Sequence, residues 1–135
     1  MSLIVLDASA AVELLLRTPA GGRAEAALRG GQVIVPGHFD AEVFSALGRL
    51  VRSGELAEGL VEPALAELAR APFARYALPP FLATVWELRH NLSLRDALYV
   101  ALARRLDALF VTADARLARA PSLGVEVVCV GRIQV

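Results

Sequence analysis

The order of apolar and polar positions along the chain predicts strands and helices in alternation. The chain begins with a continuous apolar run, Leu3–Leu6, which stops at Asp7. A run that is apolar at every position is typical of a strand buried on both faces, as in a parallel sheet. After Ser9 the apolar positions recur at helical spacing over 10–16, and Thr18-Pro19 ends that helix. The first thirty residues therefore predict a strand followed directly by helices.

The rest of the chain continues this alternation. Further helices are predicted at 20–28, 38–52, 55–70, 81–90, 94–106 and 115–119, and further strands at 33–35, 74–78, 109–111 and 125–130. Gly59 and Pro63 indicate strain or a restart inside the helix at 55–70. Strands that alternate with helices predict an α/β architecture with a mainly parallel sheet, and right-handed crossovers place helices on both of its faces. The length of 135 residues fits one domain, expected to span 1–135.

Composition excludes several classes of protein. Apolar residues make up 56% of the chain, which excludes a disordered chain and suggests that a partner covers part of the surface. All 14 basic residues are arginine, so mechanisms that need a lysine, such as P-loop or Schiff-base chemistry, are excluded. The 14 acidic residues bring the net charge to zero, so no global field attracts nucleic acid.

The remaining chemistry-bearing residues are few. Cys129 is the single cysteine and there are two histidines, too few for a disulfide or a cysteine–histidine zinc site. The first residues lack the basic region of a signal peptide. The apolar stretch Leu3–Leu16 is interrupted by Asp7 and Glu13 and is too short to span a bilayer. We therefore expect a cytoplasmic protein with no membrane contact.

Four acidic residues lie where a sheet of this kind binds ligands. Asp7 ends the first strand, and Asp114 follows the predicted strand 109–111 after two intervening residues. Both should emerge at the carboxyl edge of the sheet, where ligands of open α/β folds bind. Glu42 lies against the apolar stripe of its predicted helix, and Asp96 lies in the first turn of another.

Each acid also has an ordinary structural interpretation. Asp7 suits a turn or helix cap, and Asp114 suits the N-cap of a short helix. Glu42 is also consistent with a side chain that reaches water or an ion pair with an arginine. Ser93 to Asp96 resembles a capping box, which would explain Asp96 locally.

Together the four acids predict a metal site. Like charges that meet in one cleft repel by about 4 kcal/mol per close pair at an effective dielectric constant near 20. A divalent cation would allow them to stay ionised, and oxygen ligands suit Mg²⁺ or Mn²⁺. Such centres perform phosphoryl chemistry. The hydroxyl residues Ser9 and Thr112 each lie two positions from an acid, Asp7 and Asp114 respectively.

With these residues in place, the chain resembles the PIN-domain ribonucleases, and in particular the VapC-type toxins of toxin–antitoxin pairs. The resemblance runs nearly end to end and is carried by four segments: Leu-Ile-Val-Leu-Asp7-Ala-Ser9-Ala, His-Phe-Asp-Ala-Glu42-Val, Leu-Arg-Asp96-Ala-Leu-Tyr99-Val-Ala-Leu-Ala and Leu-Phe-Val-Thr112-Ala-Asp114-Ala-Arg-Leu. The order and spacing of the acids and the total length match the family.

The resemblance implies a three-layer α/β/α sandwich and an endoribonuclease that depends on Mg²⁺ or Mn²⁺. Asp7 and Asp96 would be the principal metal ligands, with Glu42 and Asp114 completing the acidic cluster directly or through water. Ser9 and Thr112 would orient these groups by hydrogen bonds. A metal-activated water would attack the phosphodiester in line and leave a 5′-phosphate and a 3′-hydroxyl.

The resemblance also implies partners: a homodimer, an RNA substrate and a VapB-type antitoxin that binds near the site. Local arginines must hold the RNA, and the candidates are Arg17, Arg95 and Arg116, with Arg23 and Arg89 also near the motifs. Tyr99 and Trp86 could stack a base, although their helical spacing favours packing. Asp40 and Glu13 are interpreted as surface residues of helices.

Two alternatives stay open from the sequence. One is a PIN nuclease of RNA maturation that has no antitoxin, and the other is a catalytically inactive PIN-like interaction module. A phosphoacceptor receiver domain is excluded because the chain has no lysine. The sequence does not identify the RNA that is cut.

Overall fold

The strands of the central sheet are all parallel. The computed structural model describes residues 2–120 and 123–131, and within these residues the sheet has five strands. They are β1 (Ser2–Leu6), β2 (Gly31–Pro36), β3 (Ala74–Tyr76), β4 (Leu109–Thr112) and β5 (Val127–Cys129). The predicted α/β class with helices on both faces of the sheet is confirmed.

The helices connect successive strands. They are α1 (Ala8–Leu15), α2 (Pro19–Leu28), α3 (Phe39–Arg52), α4 (Val61–Arg70), α5 (Leu82–Glu87), α6 (Leu94–Leu106) and α7 (Ala115–Ala118). Single 3₁₀ turns at Glu58–Leu60 and Pro79–Phe81 precede α4 and α5. None of the helices in the described part of the chain has the length and apolar character needed to cross a membrane.

The order of the strands creates a crevice at the centre of the sheet. The order is β3-β2-β1-β4-β5, so the chain builds outward from β1 on one side and then crosses to the other side at β4. Leu6 pairs with Val111, and the backbone N–H of Asp7 donates to the Val111 carbonyl at 2.9 Å. The carboxyl ends of β1 and β4 therefore meet at the point where the strand order reverses, which is where such sheets bind ligands.

The helix α6 forms the centre of the core on one side of this crevice. Its residues from Ala97 to Ala103 are buried without interruption. A helix that is apolar all round belongs in a protein interior. The helix α3 buries a single stripe of Phe39, Val43 and Leu47, at the four-residue steps that the sequence predicts. The two helices hold their first turns near the carboxyl edge of the sheet, where Glu42 and Asp96 lie.

Two predicted helices are wrong at their ends. The helix predicted from residue 55 begins at Val61, because the N–H groups of Glu55 and Leu56 both bond to the Leu50 carbonyl and so belong to the end of α3. Pro63 then lies in the first turn of α4. Proline is tolerated there because N–H groups in the first turn of a helix have no acceptor within the helix. The helix predicted over 81–90 ends at Glu87, after which the chain tightens into turns.

The helix predicted at 94–106 is confirmed at both ends, and the other predicted boundaries agree with the structure to within two residues. The strand predicted at 125–130 is limited to Val127–Cys129, where it pairs with β4. The strand predicted at 74–78 ends at Tyr76. The helix predicted to begin at Ala10 begins at Ala8, because Asp7 already occupies the N-cap position.

Candidate active site

The Asp7 side chain is held by two hydroxyl groups, one from the first turn of α1 and one from the end of β4. Its carboxylate is buried, and Oδ2 accepts hydrogen bonds from Ser9 Oγ at 2.6 Å and Thr112 Oγ1 at 2.7 Å. Ser9 Oγ in turn accepts from the Ala113 N–H at 3.0 Å, and Thr112 Oγ1 accepts from the Asp114 N–H at 3.1 Å. Because the hydroxyls are themselves held by backbone, the orientation of Asp7 is set before any ligand binds.

Burial and, after it, neighbouring carboxylates raise the pKa values of two of the acids, Asp7 and Asp96. Burial raises the pKa of Asp7 from 3.8 to about 6, the hydroxyls of Ser9 and Thr112 oppose the rise, and the charges of Asp96 and Glu42 add to it. Burial also raises the pKa of Asp96, a hydrogen bond with Ser93 opposes the rise, and the charges of Glu42 and Asp114 again add to it. The four carboxylates are therefore close enough to repel one another.

Glu42 is held by contacts between α3 and α6. Its Oε1 accepts a hydrogen bond from the Tyr99 hydroxyl at 2.7 Å and lies 3.4 Å from His38 Nε2. The exposed Arg95 guanidinium lies 3.6 Å from Oε2, and the Arg95 carbonyl lies 3.1 Å from His38 Nε2. Burial, followed by the hydrogen bond to Glu42, raises the pKa of Tyr99, so its hydroxyl stays a donor. Glu42 is thus both a partner of an arginine and part of the acidic group.

Asp96 and Asp114 combine capping roles with positions in the site. Ser93 caps α6 by accepting from the Asp96 N–H at 3.1 Å. Asp114 caps α7 through Oδ1, which accepts from the N–H groups of Arg116 at 2.9 Å and Leu117 at 3.2 Å. Its Oδ2 lies 3.9 Å from the exposed guanidinium of Arg116. The structural interpretations of these two acids are compatible with the functional one.

All four predicted acids line one cavity, which we call the site cavity. Its volume is about 250 Å³, and its wall comprises Asp7, Ala8, Ser9, Glu42, Ser45, Ala46, Arg49, Arg95, Asp96 and Asp114. Among residues 2–120 and 123–131, no group of three or more Asp, Glu, His or Cys side chains is arranged to hold a metal ion. The donors surround a shared space instead, which suits Mg²⁺, because that ion keeps several waters and binds through one or two carboxylates.

The candidate RNA-binding arginines are divided between several places. Arg95 lines the site cavity, and Arg116 and Arg89 line a cavity beside it. Arg17 is exposed and pairs with Glu67 at 3.4 Å, and Arg23 donates to the Val130 carbonyl at 3.1 Å. The structure therefore brings Arg95, Arg116 and Arg89 to the acids and gives Arg17 and Arg23 other contacts.

Sequence reasoning missed two features of the site. Arg49 lines the site cavity from α3; it follows Glu42 by seven residues, a spacing that places both on one helix face and could have revealed it. Tyr99 is fully buried, as its packing interpretation predicts, but its hydroxyl bond to Glu42 has no signal in the sequence. Asp40 pairs with Arg75 at 2.7 Å on the surface, in agreement with its interpretation as a surface residue.

The family follows from the match to a PIN domain model over residues 4–123. The chain belongs to the PIN-domain family. The resemblance that the four acidic segments carry is thereby confirmed. The PIN domain is 48% identical over 118 residues to the ribonuclease VapC3 of Mycobacterium tuberculosis, which covers 87% of this chain and 86% of that protein.

A second relative and a solved structure are also similar to the chain. The PIN domain is 41% identical over 127 residues to the ribonuclease VapC12 of the same organism, covering 93% of this chain and 97% of that protein. In fold it is similar to a chain from a toxin–antitoxin complex of Klebsiella pneumoniae, with a TM-score of 0.64, 17% identity and coverage of 96% and 99% of the two chains. The three-layer fold that the resemblance implies is confirmed.

Proposed function

We propose that this protein is a metal-dependent endoribonuclease and the toxin of a VapBC-type toxin–antitoxin pair. The single observation that carries the proposal is the site cavity, where Asp7, Glu42, Asp96 and Asp114 line one space at the central crevice of the sheet. The PIN family and the VapC ribonucleases that are 48% and 41% identical support the same activity.

The residues of the site cavity fit Mg²⁺ or Mn²⁺. The donor set consists of carboxylate oxygens. Burial and, after it, the charges of neighbouring carboxylates raise the pKa values of Asp7 and Asp96, and a bound cation would offset both effects. Asp7 and Asp96 would be the principal ligands, with Glu42 and Asp114 acting directly or through water. When bound, the metal supplies a water activated for attack and offsets the charge on the phosphate.

The protein itself orients the reacting groups. Ser9 and Thr112 hold Asp7, and Tyr99 holds Glu42, so two of the acids keep their positions when a substrate enters. Arg49 and Arg95 offer guanidinium groups at the wall of the cavity, where they can bind oxygens of a phosphodiester. In-line attack of water on phosphorus then breaks the bond to the 3′ oxygen and leaves a 3′-hydroxyl and a 5′-phosphate.

The apolar surface supports the proposed protein partners. Among the residues that the structure describes, five large apolar side chains are about half exposed: Phe44, Leu60, Leu82, Trp86 and Leu94. We propose that a second copy of the chain and a VapB-type antitoxin in the cytoplasm cover such surface. A small protein encoded beside the chain that copurifies with it and relieves growth arrest would support the toxin assignment. A nuclease of RNA maturation would have no such inhibitor.

The direct test compares RNA cleavage by the purified wild type with that by Asp7→Asn in the presence of Mn²⁺. We expect a loss of more than about 100-fold, because even groups that only hydrogen-bond to metal ligands contribute about 10–100-fold. Asp107→Asn is the matched control. Asp107 lies at the other end of α6 with a left-handed backbone (φ 51°), which asparagine accepts. Full activity of a folded Asp7→Asn protein would refute the proposal.

The target is found by sequencing RNA 5′ ends after brief induction of the wild type and of Asp96→Asn. Ends that appear only with the wild type identify both the activity and the RNA that is cut. Identical ends in the two samples would contradict an active site at Asp96.

A further inference from the structure

A second cavity opens beside the site cavity, and we call it the flanking cavity. Its volume is about 370 Å³, within the range of about 300–1,000 Å³ that small-ligand sites occupy. It shares Asp96 and Asp114 with the site cavity. The rest of its wall comes from the α5–α6 loop (Arg89, His90, Asn91, Leu92 and Ser93), from α7 (Arg116 and Leu117) and from Ala120 just after it. A ligand bound at Asp96 and Asp114 therefore has direct access to it.

The flanking cavity differs from the site cavity in its chemistry. The site cavity has four carboxylates and two arginines, whereas the flanking cavity adds two arginines, a histidine and an asparagine to the two shared acids. The buried Leu117 supplies an apolar part of the wall. The flanking cavity thus offers cations, hydrogen-bonding side chains and an apolar contact together, which is what a nucleotide needs for its phosphate, base edge and base face.

Arg89 is already ordered for such a role. Its guanidinium carbon lies 4.5 Å from the centroid of the Trp86 ring, and Nη1 donates to the Trp86 carbonyl at 2.8 Å. Trp86 itself is 59% exposed. A guanidinium held on an indole loses less freedom when it binds an anion, so it binds more tightly than a mobile side chain would. Arg116, by contrast, is 88% exposed and 3.9 Å from Asp114, and can turn toward a ligand at low cost.

We propose that the flanking cavity binds a nucleotide next to the scissile phosphate and sets the sequence preference of cleavage. The inference rests on the proposed ribonuclease function. Arg89 and Arg116 contact the sugar–phosphate backbone, which gives affinity without sequence preference. His90 and Asn91 contact the edge of the base, where an amide both donates and accepts and so distinguishes bases.

The first experiment measures cleavage of an RNA library randomised around the cut site. Arg89→Ala and Arg116→Ala should each raise KM by about 10-fold for all sequences, since a hydrogen bond to a charged group is lost. Asn91→Ala should instead flatten the base preference at one position next to the cut. Arg70→Ala is the control, because Arg70 is exposed at the end of α4 and lines neither cavity in the described chain. An unchanged base preference with Asn91→Ala and unchanged KM values with both arginine variants would overturn the inference.

The second experiment places the nucleotide without turnover. An RNA with 4-thiouridine beside the cut site is photo-crosslinked to Asp7→Asn, which leaves the RNA intact. We expect crosslinks within 89–93 and 116–120, and crosslinks confined to other segments would overturn the inference.

The outcomes separate this inference from the proposed function. If the wild type cuts no RNA, the proposed function fails and the inference fails with it. A different result is possible if the wild type does cut RNA. If the variants then keep the wild-type base preference and KM values, and the crosslinks lie in other segments, only the inference about the flanking cavity is wrong. If Arg89→Ala and Arg116→Ala weaken binding of an antitoxin and leave KM for RNA unchanged, the cavity is a protein-binding site and the inference is likewise overturned.

Discussion

At the scale of single residues, the acids of the site cavity combine a local structural contact with a place in its wall. Asp114 caps α7 through one carboxylate oxygen while it lines both cavities. Glu42 accepts the Tyr99 hydroxyl through Oε1, and Arg95 approaches its Oε2. A carboxylate has two oxygens and several lone pairs, so a group that makes one contact can still accept another hydrogen bond or bind a metal. Local sequence alone therefore could not decide between a cap and a ligand.

The Tyr99 hydroxyl is expected to position Glu42. Replacement of Tyr99 by Phe keeps the buried ring and removes the 2.7 Å hydrogen bond. We expect Mn²⁺ affinity to fall by about 10-fold, at the lower end of what partners of metal ligands contribute. The free energy of unfolding should fall by about 1–2 kcal/mol, because the acceptor is charged and partly exposed. Calorimetric titration and chemical denaturation measure the two effects.

Tyr76→Phe is the matched control, because Tyr76 lies on β3 and lines neither cavity of the described chain. If Tyr99→Phe binds Mn²⁺ as the wild type does while Glu42→Gln loses affinity, Glu42 is a ligand that needs no help from Tyr99.

At the scale of elements, the start of α6 sets the position of Asp96. Ser93 caps the helix by accepting a hydrogen bond from the Asp96 N–H, so the backbone that carries the Asp96 side chain is fixed. Residues Ala97–Ala103 of α6 are buried in the core, which fixes the position of the helix. The site therefore depends on a helix whose interior position is set by packing and whose first turn is set by a cap.

Ser93→Ala is expected to destabilise this turn. Loss of an N-cap hydroxyl costs about 1 kcal/mol, with a range of about 0.5–2 kcal/mol, and the melting temperature should fall accordingly. Ser93→Thr should restore most of the stability, because threonine also caps helices. Ser53→Ala at the exposed end of α3 is the control, and it should change stability by less than about 0.5 kcal/mol. Equal losses in the two alanine variants would contradict the role of Ser93 as a cap.

At the scale of the whole molecule, we expect protons to compete with the proposed metal for the site cavity. The pKa of Asp7 is raised by folding, so the folded state binds a proton more strongly than the unfolded state between pH 3.8 and about 6. Stability without metal therefore falls as pH rises through this window, by up to about 3 kcal/mol from Asp7. A metal binds the ionised form, so its effect on stability grows over the same window.

Thermal melts in millimolar Mg²⁺ or Mn²⁺ and in EDTA test this competition. We expect the metal to raise the melting temperature by more at pH 7 than at pH 5. In Asp7→Asn the difference between the metal effects at pH 5 and pH 7 should shrink. Without metal, this variant should be at least as stable as the wild type at pH 7, because the buried charge is gone. A metal effect that is absent, or equal at both pH values, would contradict a site built on Asp7.

The sequence by itself determined much of this protein. Each buried strand shows as an apolar run, and the acids that follow β1 and β4 could be assigned to one sheet edge because parallel strands end on the same side. Ser9 and Thr112 could be identified as site residues from the sequence because each lies two residues from an acid. It misplaced the start of α4, because bonds from Glu55 and Leu56 back to Leu50 decide where α3 ends.

Only the tertiary structure decided the rest. The order β3-β2-β1-β4-β5 and the contact between α3 and the start of α6 brought Tyr99 and Arg95 to Glu42, over more than fifty residues of chain. The flanking cavity likewise needs the α5–α6 loop and α7 to meet beside Asp96. The physical reason is that periodicity and strand ends are local properties of a chain, whereas distances between distant segments arise only when the core packs.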